Sequence, residues 1–549
     1  MRTRLGTAFA AITLVLPATV ALDASPAAAA AGTELVSVGS GGAPGDADSG
    51  LDLPNGGASD DGRFILFESF ATNLVPGDTN GEMDVFVRDR QAGTTERVSV
   101  ATGGGQGDGM AHMSAISGDG RFVAFSSAAA NLVPGDTNGV TDVFLRDRQA
   151  GTTERISLSS GGEQAGADST HPSVSDDGNR VVFLSEATDL VDADTNTARD
   201  VFVRDRQAGT TTRVSVSSEG AQASDYSDLP QISGDGGHVS FHSAAGDLVP
   251  GDTNDAADVF VHTLQSATTV RVSVATGGAQ GSGSSSSLTT MSDDGRYVGF
   301  DSQSPDLVAG DTNGAADVFV HDRQTMTTER VSVATGGTQA DLDSGAASIS
   351  DDGRHVAFVS PATNLVAGDT NDAVDVFVRD RQAATTERVS VTDGGGQADA
   401  GSDPAFLSGG GRVVAFSSWA SNLVAADTNG LRDVFVRDAD VDAGACTITG
   451  TNGADVLTGT GAGDVICGLG GNDLINARGG ADTVVGGPGN DIINGATGDD
   501  DLRGGPGVDV INGGDGDDVI DGGPGVDVIN GGGGDDTCTV DEADVVTGC

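Results

Sequence analysis

The chain has 549 residues, enough for two or three domains, and carries 81 acidic against 28 basic residues for a formal net charge of -53. Every basic residue other than histidine is arginine. That charge excludes nucleic acid and anionic membrane surfaces as partners, because both repel it. With 85 glycines it leaves two readings, disorder or carboxylates awaiting a cation, and the repeats described below favour the second.

Residues 1–31 carry Arg2 and Arg4, then an apolar run, then a small-residue stretch ending near Ala29–Ala31. This is the pattern of a secretory signal peptide, and the expected mature protein is secreted and extracellular. No later stretch is apolar enough to span a bilayer.

From residue 33 to 442 the chain repeats with a period of about 58 residues. The marker is a DG turn before an apolar strand, with turn glycines Gly62, Gly120, Gly178, Gly236, Gly295, Gly353 and Gly411. One copy reads as four strands: "SAIS", "RFVAFSS", "DVFLRDR" and, after the turn "QAGTT", "ERISLSS". Four short strands per copy predict a blade of a β-propeller, seven in all. The seventh copy lacks its fourth strand, and "TELVSVGS" at 33–40 has that strand's pattern. The N-terminal strand is therefore expected to complete the last blade and close the ring. The signature "S-x-DG-R-x-[apolar]-x-F-x-S" with "DVFVRD" resembles the TolB-type, WD-repeat-like propellers. The resemblance implies a binding scaffold and no particular chemistry.

Between the second and third strands each copy carries a loop of pattern D-T-N-x-x-x-D. Examples are Asp78, Asn80 and Asp84; Asp136, Asn138 and Asp142; Asp311, Asn313 and Asp317; and, in the last copy, Asp427, Asn429 and Asp433. Oxygen ligands so spaced suit a hard cation such as Ca²⁺. The same residues also cap their own turns, and both readings stand at this stage.

Residues 443–549 form a different segment. From Gly450 to Thr539 it tiles into ten nonapeptides, with one aspartate every nine residues: Asp455, Asp464, Asp473, Asp482, Asp491, Asp500, Asp509, Asp518, Asp527 and Asp536. Two residues after each stands a side chain expected inside, from Leu457 and Ile466 through Ile529 to Cys538. The pattern resembles the haemolysin-type (RTX) calcium-binding repeat G-G-x-G-x-D-x-U-x. The resemblance implies a parallel β-roll in which two nonapeptides make one coil and the aspartates enclose Ca²⁺. One apolar side chain per nine ordered residues is a thin core, so the roll is expected to need its cation. The four cysteines, Cys446, Cys467, Cys538 and Cys549, all lie here. They are expected to form disulfides. Of three possible pairings, Cys446–Cys467 with Cys538–Cys549 would brace the two ends.

No catalytic constellation stands out. His262 and His321 replace an arginine of the repeat, and His238 and His355 a phenylalanine, which reads as packing. One tryptophan and two tyrosines make few sugar-stacking platforms. The sequence thus points to an all-β chain, a seven-bladed propeller followed by a β-roll. Its expected role is a secreted, non-catalytic calcium-binding protein whose propeller is a scaffold for an extracellular protein or surface polymer. The alternative is a hydrolase or lyase with its site on the long-loop face of the propeller.

Overall fold

The computed structural model describes residues 32–51, 57–392, 395–438, 446–450, 454–468, 471–487, 489–505, 507–523, 525–534, 536–539 and 544–549. The expected signal peptide, 1–31, lies outside them. Among the described residues every regular element is a strand, and no helix is long and apolar enough to cross a membrane.

Seven four-stranded antiparallel sheets follow one another in the chain, each a blade. In the second blade the strands run Ala111–Ile116, Phe122–Ser127, Asp142–Asp147 and Thr152–Arg155 from the innermost outwards. The alternating apolar face of the second strand meets that of the third, and each blade stacks one phenylalanine from each, such as Phe125 on Phe144 at 5.8 Å. These rings are fully buried and fill the space between blades. The inner strand is longer than "SAIS" suggests. It begins upstream at Ala111 and passes a β-bulge between His112 and Ala115, where Met113 takes φ 50°. All seven DG-turn glycines have positive φ, from 65° to 73°, which is why glycine stands there.

The ring closes as expected. Thr33–Leu35 forms the outer strand of the seventh blade against Asp433–Asp438, with Thr33 opposite Arg437 and Leu35 opposite Phe435. Val36 and Val38 continue the line, both buried.

The long loops share one face. The loop between second and third strands packs on the crossing to the next blade, as Asn80 Nδ2 donates to Gly107 O at 3.2 Å. The DG turns lie at the opposite end.

The C-terminal segment is a parallel solenoid with two sheets of six strands. Its register is eighteen residues throughout the nonapeptides, Ile466 lying against Val484 and Ile493 against Ile511. The copies "GGPGVDVIN" therefore stack directly. Ile466, Ile475, Val484, Ile493, Leu502, Ile511, Ile520 and Ile529 form the single-file interior. Disulfides Cys446–Cys467 and Cys538–Cys549 brace its two ends. The coil extends half a turn beyond the array at both ends. Ile448 pairs with Ile466, and Val545–Thr547 pairs with Val528–Asn530 one residue out of step.

The N-terminal strand completes the last blade, so deleting residues 33–40 should lower the melting temperature of the propeller. The strand buries Leu35, Val36 and Val38, each contributing about 1.5–3 kcal/mol. A shift of at least about 5 °C is expected in a calorimetric scan, and an unchanged melt would refute the closure.

Candidate metal centre

The turns of the solenoid put the ten aspartates into two columns. From Asp473 onward one oxygen of each is used by the fold. Asp491 Oδ1 accepts the amide of Asp473 at 2.7 Å, and Asp509 Oδ1 that of Asp491 at 2.7 Å. The same bond joins Asp455 to Asp473, Asp464 to Asp482, Asp482 to Asp500, Asp500 to Asp518, Asp509 to Asp527 and Asp518 to Asp536, at 2.7–2.9 Å. The sequence tiling missed the last member: Asp544 Oδ1 takes the amide of Asp527 at 2.9 Å. The signal was there in "ADVVTG", a shortened copy of the D-x-U-x half.

The second oxygen, Oδ2, is a different matter. In Asp473, Asp482, Asp491, Asp500, Asp509, Asp518 and Asp536 it is buried with no hydrogen-bond partner. Each except that of Asp482, whose repeat has Ala477 at the position, faces a glycine of its own repeat. A Cβ on Gly486 would lie 2.5 Å from Asp491 Oδ2 and 2.6 Å from the carbonyl oxygen of Gly504 in the next turn. Gly504, Gly513 and Gly531 repeat the arrangement with Asp509, Asp518 and Asp536. Glycine there keeps open a cradle of one carboxylate oxygen and backbone carbonyl oxygens, the donor set of a hard cation. A buried carboxylate oxygen with no donor carries a large desolvation penalty. Burial raises the carboxyls of Asp491, Asp500 and Asp509 to about 7, 6 and 8, with the stacked neighbours Asp473, Asp482 and Asp491 adding to it. Asp464 departs from the pattern, since Thr460 donates both its amide and its hydroxyl to Oδ2, at 2.6 and 2.8 Å, which lowers that carboxyl.

A family model for the RTX calcium-binding nonapeptide repeat matches residues 447–475, 476–511 and 503–538. Residues 447–538 are RTX calcium-binding repeats. No curated protein matches the chain. Solved structures similar to the chain include an oligogalacturonate lyase from Vibrio parahaemolyticus, 13% identical over 71% of this chain and 89% of that one, with a TM-score of 0.43. TolB from Acinetobacter baumannii is 15% identical over 56% of this chain and 59% of that one, with a TM-score of 0.33. The β-propeller domain of the Trilobed protease from Pyrococcus furiosus is 10% identical over 71% and 96%, with a TM-score of 0.43. With TM-scores this low, none of the three bears on chemistry.

The propeller loops have an internal cation where the sequence pattern had suggested calcium. Arg97 Nη1, from the outer strand, lies 3.1 Å from Asp78 Oδ1 and 3.2 Å from Asp84 Oδ2. Arg155 meets Asp136 at 3.0 Å and Asp142 at 3.6 Å, and Arg330 meets Asp311 at 3.2 Å and Asp317 at 3.1 Å. Asn80, Asn138 and Asn313 each donate to the second aspartate of their loop, at 3.1, 2.8 and 2.9 Å. Its other oxygen accepts a serine hydroxyl, Ser99 to Asp84 at 2.5 Å. These nine residues are brought together, and in each of the three loops the two aspartates face a guanidinium. Arginine was visible in every "TTER", yet its partner thirteen residues earlier is set by strand register.

His262 and His321 are buried packing residues, hydrogen-bonded through Nδ1 to Thr269 and Thr328. Burial lowers both, His321 to about 4.

A second acidic feature lies on the propeller axis, on the DG-turn face. The residue between the serine and the DG pair, which is Gly410–Gly411 in the seventh copy, is Asp60, Gly118, Asp176, Gly234, Asp293, Asp351 and Gly409 around the ring. Backbone hydrogen bonds link adjacent turns, such as Asp60 N to Gly118 O at 2.9 Å. The glycines make room for neighbouring carboxylates: a Cβ on Gly234 would sit 2.1 Å from Asp293 Oδ1 and 2.4 Å from Asp176 Oδ2. The channel they line has a volume of about 130 Å³ and one aromatic wall residue, Phe406. Burial, then repulsion from Asp351, Asp176 and Asp293, raises Asp60 to about 8, although the residue remains exposed at the channel. Burial comes first again for Asp176 and Asp351, both raised to about 6, with Asp293 the foremost repelling neighbour.

Two outcomes follow. A carboxyl whose folded pKa is raised binds protons more tightly in the folded state, so its contribution is full at acid pH and is lost as pH rises. In EGTA the propeller melt should fall between about pH 4 and pH 8, the window spanned by the ordinary value 3.8 and the raised value of about 8. Asp60→Asn should flatten that slope and raise the melting temperature at pH 8. Arg97→Leu should leave Asp78 and Asp84 buried without a cation, and removing one partner of such a group costs about 3–5 kcal/mol, read as a lower denaturant midpoint of the propeller.

Proposed function

We propose that the protein is a secreted calcium-binding protein without catalytic activity. Its RTX roll folds around calcium, and its propeller is an interaction scaffold for an extracellular protein or surface polymer. The observation that carries this reading is the row of buried Oδ2 atoms, all but that of Asp482 facing a glycine and a carbonyl of the next turn. Calcium would be held there by Asp473, Asp482, Asp491, Asp500, Asp509, Asp518 and Asp536 with backbone carbonyls, and Asp455, Asp464 and Asp527 stand in the same two columns. Bound, it supplies the positive charge that the stacked carboxylates otherwise lack, and its binding energy becomes folding energy because the cradle exists only in the folded coil. An extracellular setting supplies millimolar-range calcium affinities with their ion, and both disulfides suit it. The absence of catalysis is supported by the long-loop face. In six of seven blades its loop carboxylates are held by an arginine of the same blade, which leaves them poor general acids or bases. The face repeats one loop around the ring, a shape suited to binding.

The test is far-UV circular dichroism of a 443–549 fragment. In EGTA it should show little strand signal, and in millimolar calcium the signal should appear. The turns of 486–536, which have the full cradle, should order before those around Ala462 and Arg478. An identical spectrum in both conditions would mean that calcium does not hold the roll together.

A further inference from the structure

The seven D-T-N-x-x-x-D loops are alike in sequence and differ in surroundings. In blades one to six the two aspartates converge on an arginine of the outer strand: Arg97, Arg155, Arg213, Arg271, Arg330 or Arg388. The outer strand of blade seven comes from the N-terminus, and its register is the same. Leu35 lies opposite Phe435 as Arg97 lies opposite Phe86, and Ser37 donates to Asp433 Oδ1 at 2.6 Å as Ser99 does to Asp84. Leucine therefore stands in the arginine position, too short to reach the loop and uncharged.

A second partner is changed as well. In blade one Gln106 donates to Asp78 at 2.9 Å, and Gln222 and Gln280 do the same for Asp194 and Asp252. The bridge that places it, Val100 to Gln106, is Val38 to Pro44 in blade seven. Proline has no side-chain donor.

Two carboxylate oxygens are left over. Asp427 Oδ1 and Asp433 Oδ2 are buried with no hydrogen-bond partner, in side chains 8% and 0% exposed. The corresponding carboxylate oxygens of the other six loops are all partnered among the described residues. Asn429 completes the loop, accepting the amide of Leu431 at 3.0 Å and donating to Gly45 O at 3.1 Å. The other charges nearby do not help. Burial pushes both carboxyls up, Asn429 and, for Asp433, Ser37 offset this in part, and the negative neighbours add to it, Asp399 at Asp427 and Asp427 then Asp48 at Asp433. Arg432 is turned towards Asp403, donating to its carbonyl oxygen at 2.7 Å. Two buried carboxylates with no counter-charge are strongly unfavourable, and the fold keeps both.

We propose that blade seven holds a divalent cation of the calcium class between Asp427 and Asp433, at the position a guanidinium fills in the other six blades. The donors are oxygens only, which selects a hard ion. The pair carries two negative charges, which selects a divalent one. Burial of Asp433 admits a bare ion and excludes a partner's side chain. Among the described residues no cluster of three or more acidic, histidine or cysteine side chains is suited to a metal, so carbonyl oxygens and water complete the shell. The site is separate from the RTX roll. It sits on the ring closure, since Ser37 of the closing strand holds the other oxygen of Asp433. The ion thereby fastens the N-terminal strand to the last blade.

Hydrogen–deuterium exchange of the chain lacking residues 1–31, in EGTA and in millimolar calcium, tests this. Calcium should slow exchange at 33–38 and 427–436 by about tenfold or more, and leave the matching segments of blade one, 94–100 and 78–87, unchanged. Leu35→Arg restores the blade-one arrangement, and these segments should then exchange slowly in both conditions. Should that variant fold poorly, Asp427→Asn is read in its place and should likewise lose the calcium effect. Calcium-independent exchange at 33–38 in the parent chain, or an undiminished calcium effect in whichever variant is read, would overturn the proposal. Protection at 466–529 reports on the roll in the same experiment, so the two calcium readings fail separately.

Discussion

A carboxylate taken out of water must be given a positive charge, a proton or a full set of donors, and this constraint shapes every part of the chain. With 81 acidic and 28 basic residues, arginine cannot answer all of it. The long loops of six blades answer with a guanidinium that bridges two aspartates. On the axis, burial and mutual repulsion make Asp60, Asp176 and Asp351 hold protons more readily than a free carboxyl. The RTX turns answer with backbone amides for one oxygen and, on our reading, with calcium for the other. The same residue type thus takes three kinds of partner according to what the local backbone brings near it.

Most of the architecture was legible because it rests on periodicity. The 58-residue period, the alternating faces of the second and third strands and the missing fourth strand of the last copy lead directly to a ring closed by residues 33–35. The nonapeptide spacing leads as directly to an eighteen-residue coil. What escaped was set by contacts between copies. The inner strand extends through Ala111–Met113, a stretch with no β-branched residue, because the neighbouring strand and a bulge hold it there. In six of its seven copies the loop motif read as a cation site faces a cation supplied across a hairpin, by Arg97 and its equivalents. The four-carboxylate ring was invisible because its members lie about 58 or 117 residues apart and meet only when the DG turns close on the axis. The half-turns at Ile448 and Asp544 were passed over because each departs from the nonapeptide in length.

The two cation strategies also explain why the domains differ so much in composition. An arginine reaches a buried aspartate on a long apolar stem, and the stem needs a wall to lie against. The blades provide one in their paired strands and stacked phenylalanines. The roll has no such wall, because its interior is one side chain wide. A Cβ on Gly504 would already meet Asp509 Oδ2 at 2.4 Å and the carbonyl of Gly522 at 2.5 Å. No side chain fits into that space, whatever its charge, whereas a bare ion needs only oxygens around it. Glycine, aspartate and calcium are therefore one solution in the roll, and phenylalanine, aspartate and arginine another in the propeller. Blade seven is where they meet: it has the aspartates and phenylalanines of a blade, and a closing strand whose Leu35 cannot supply the charge.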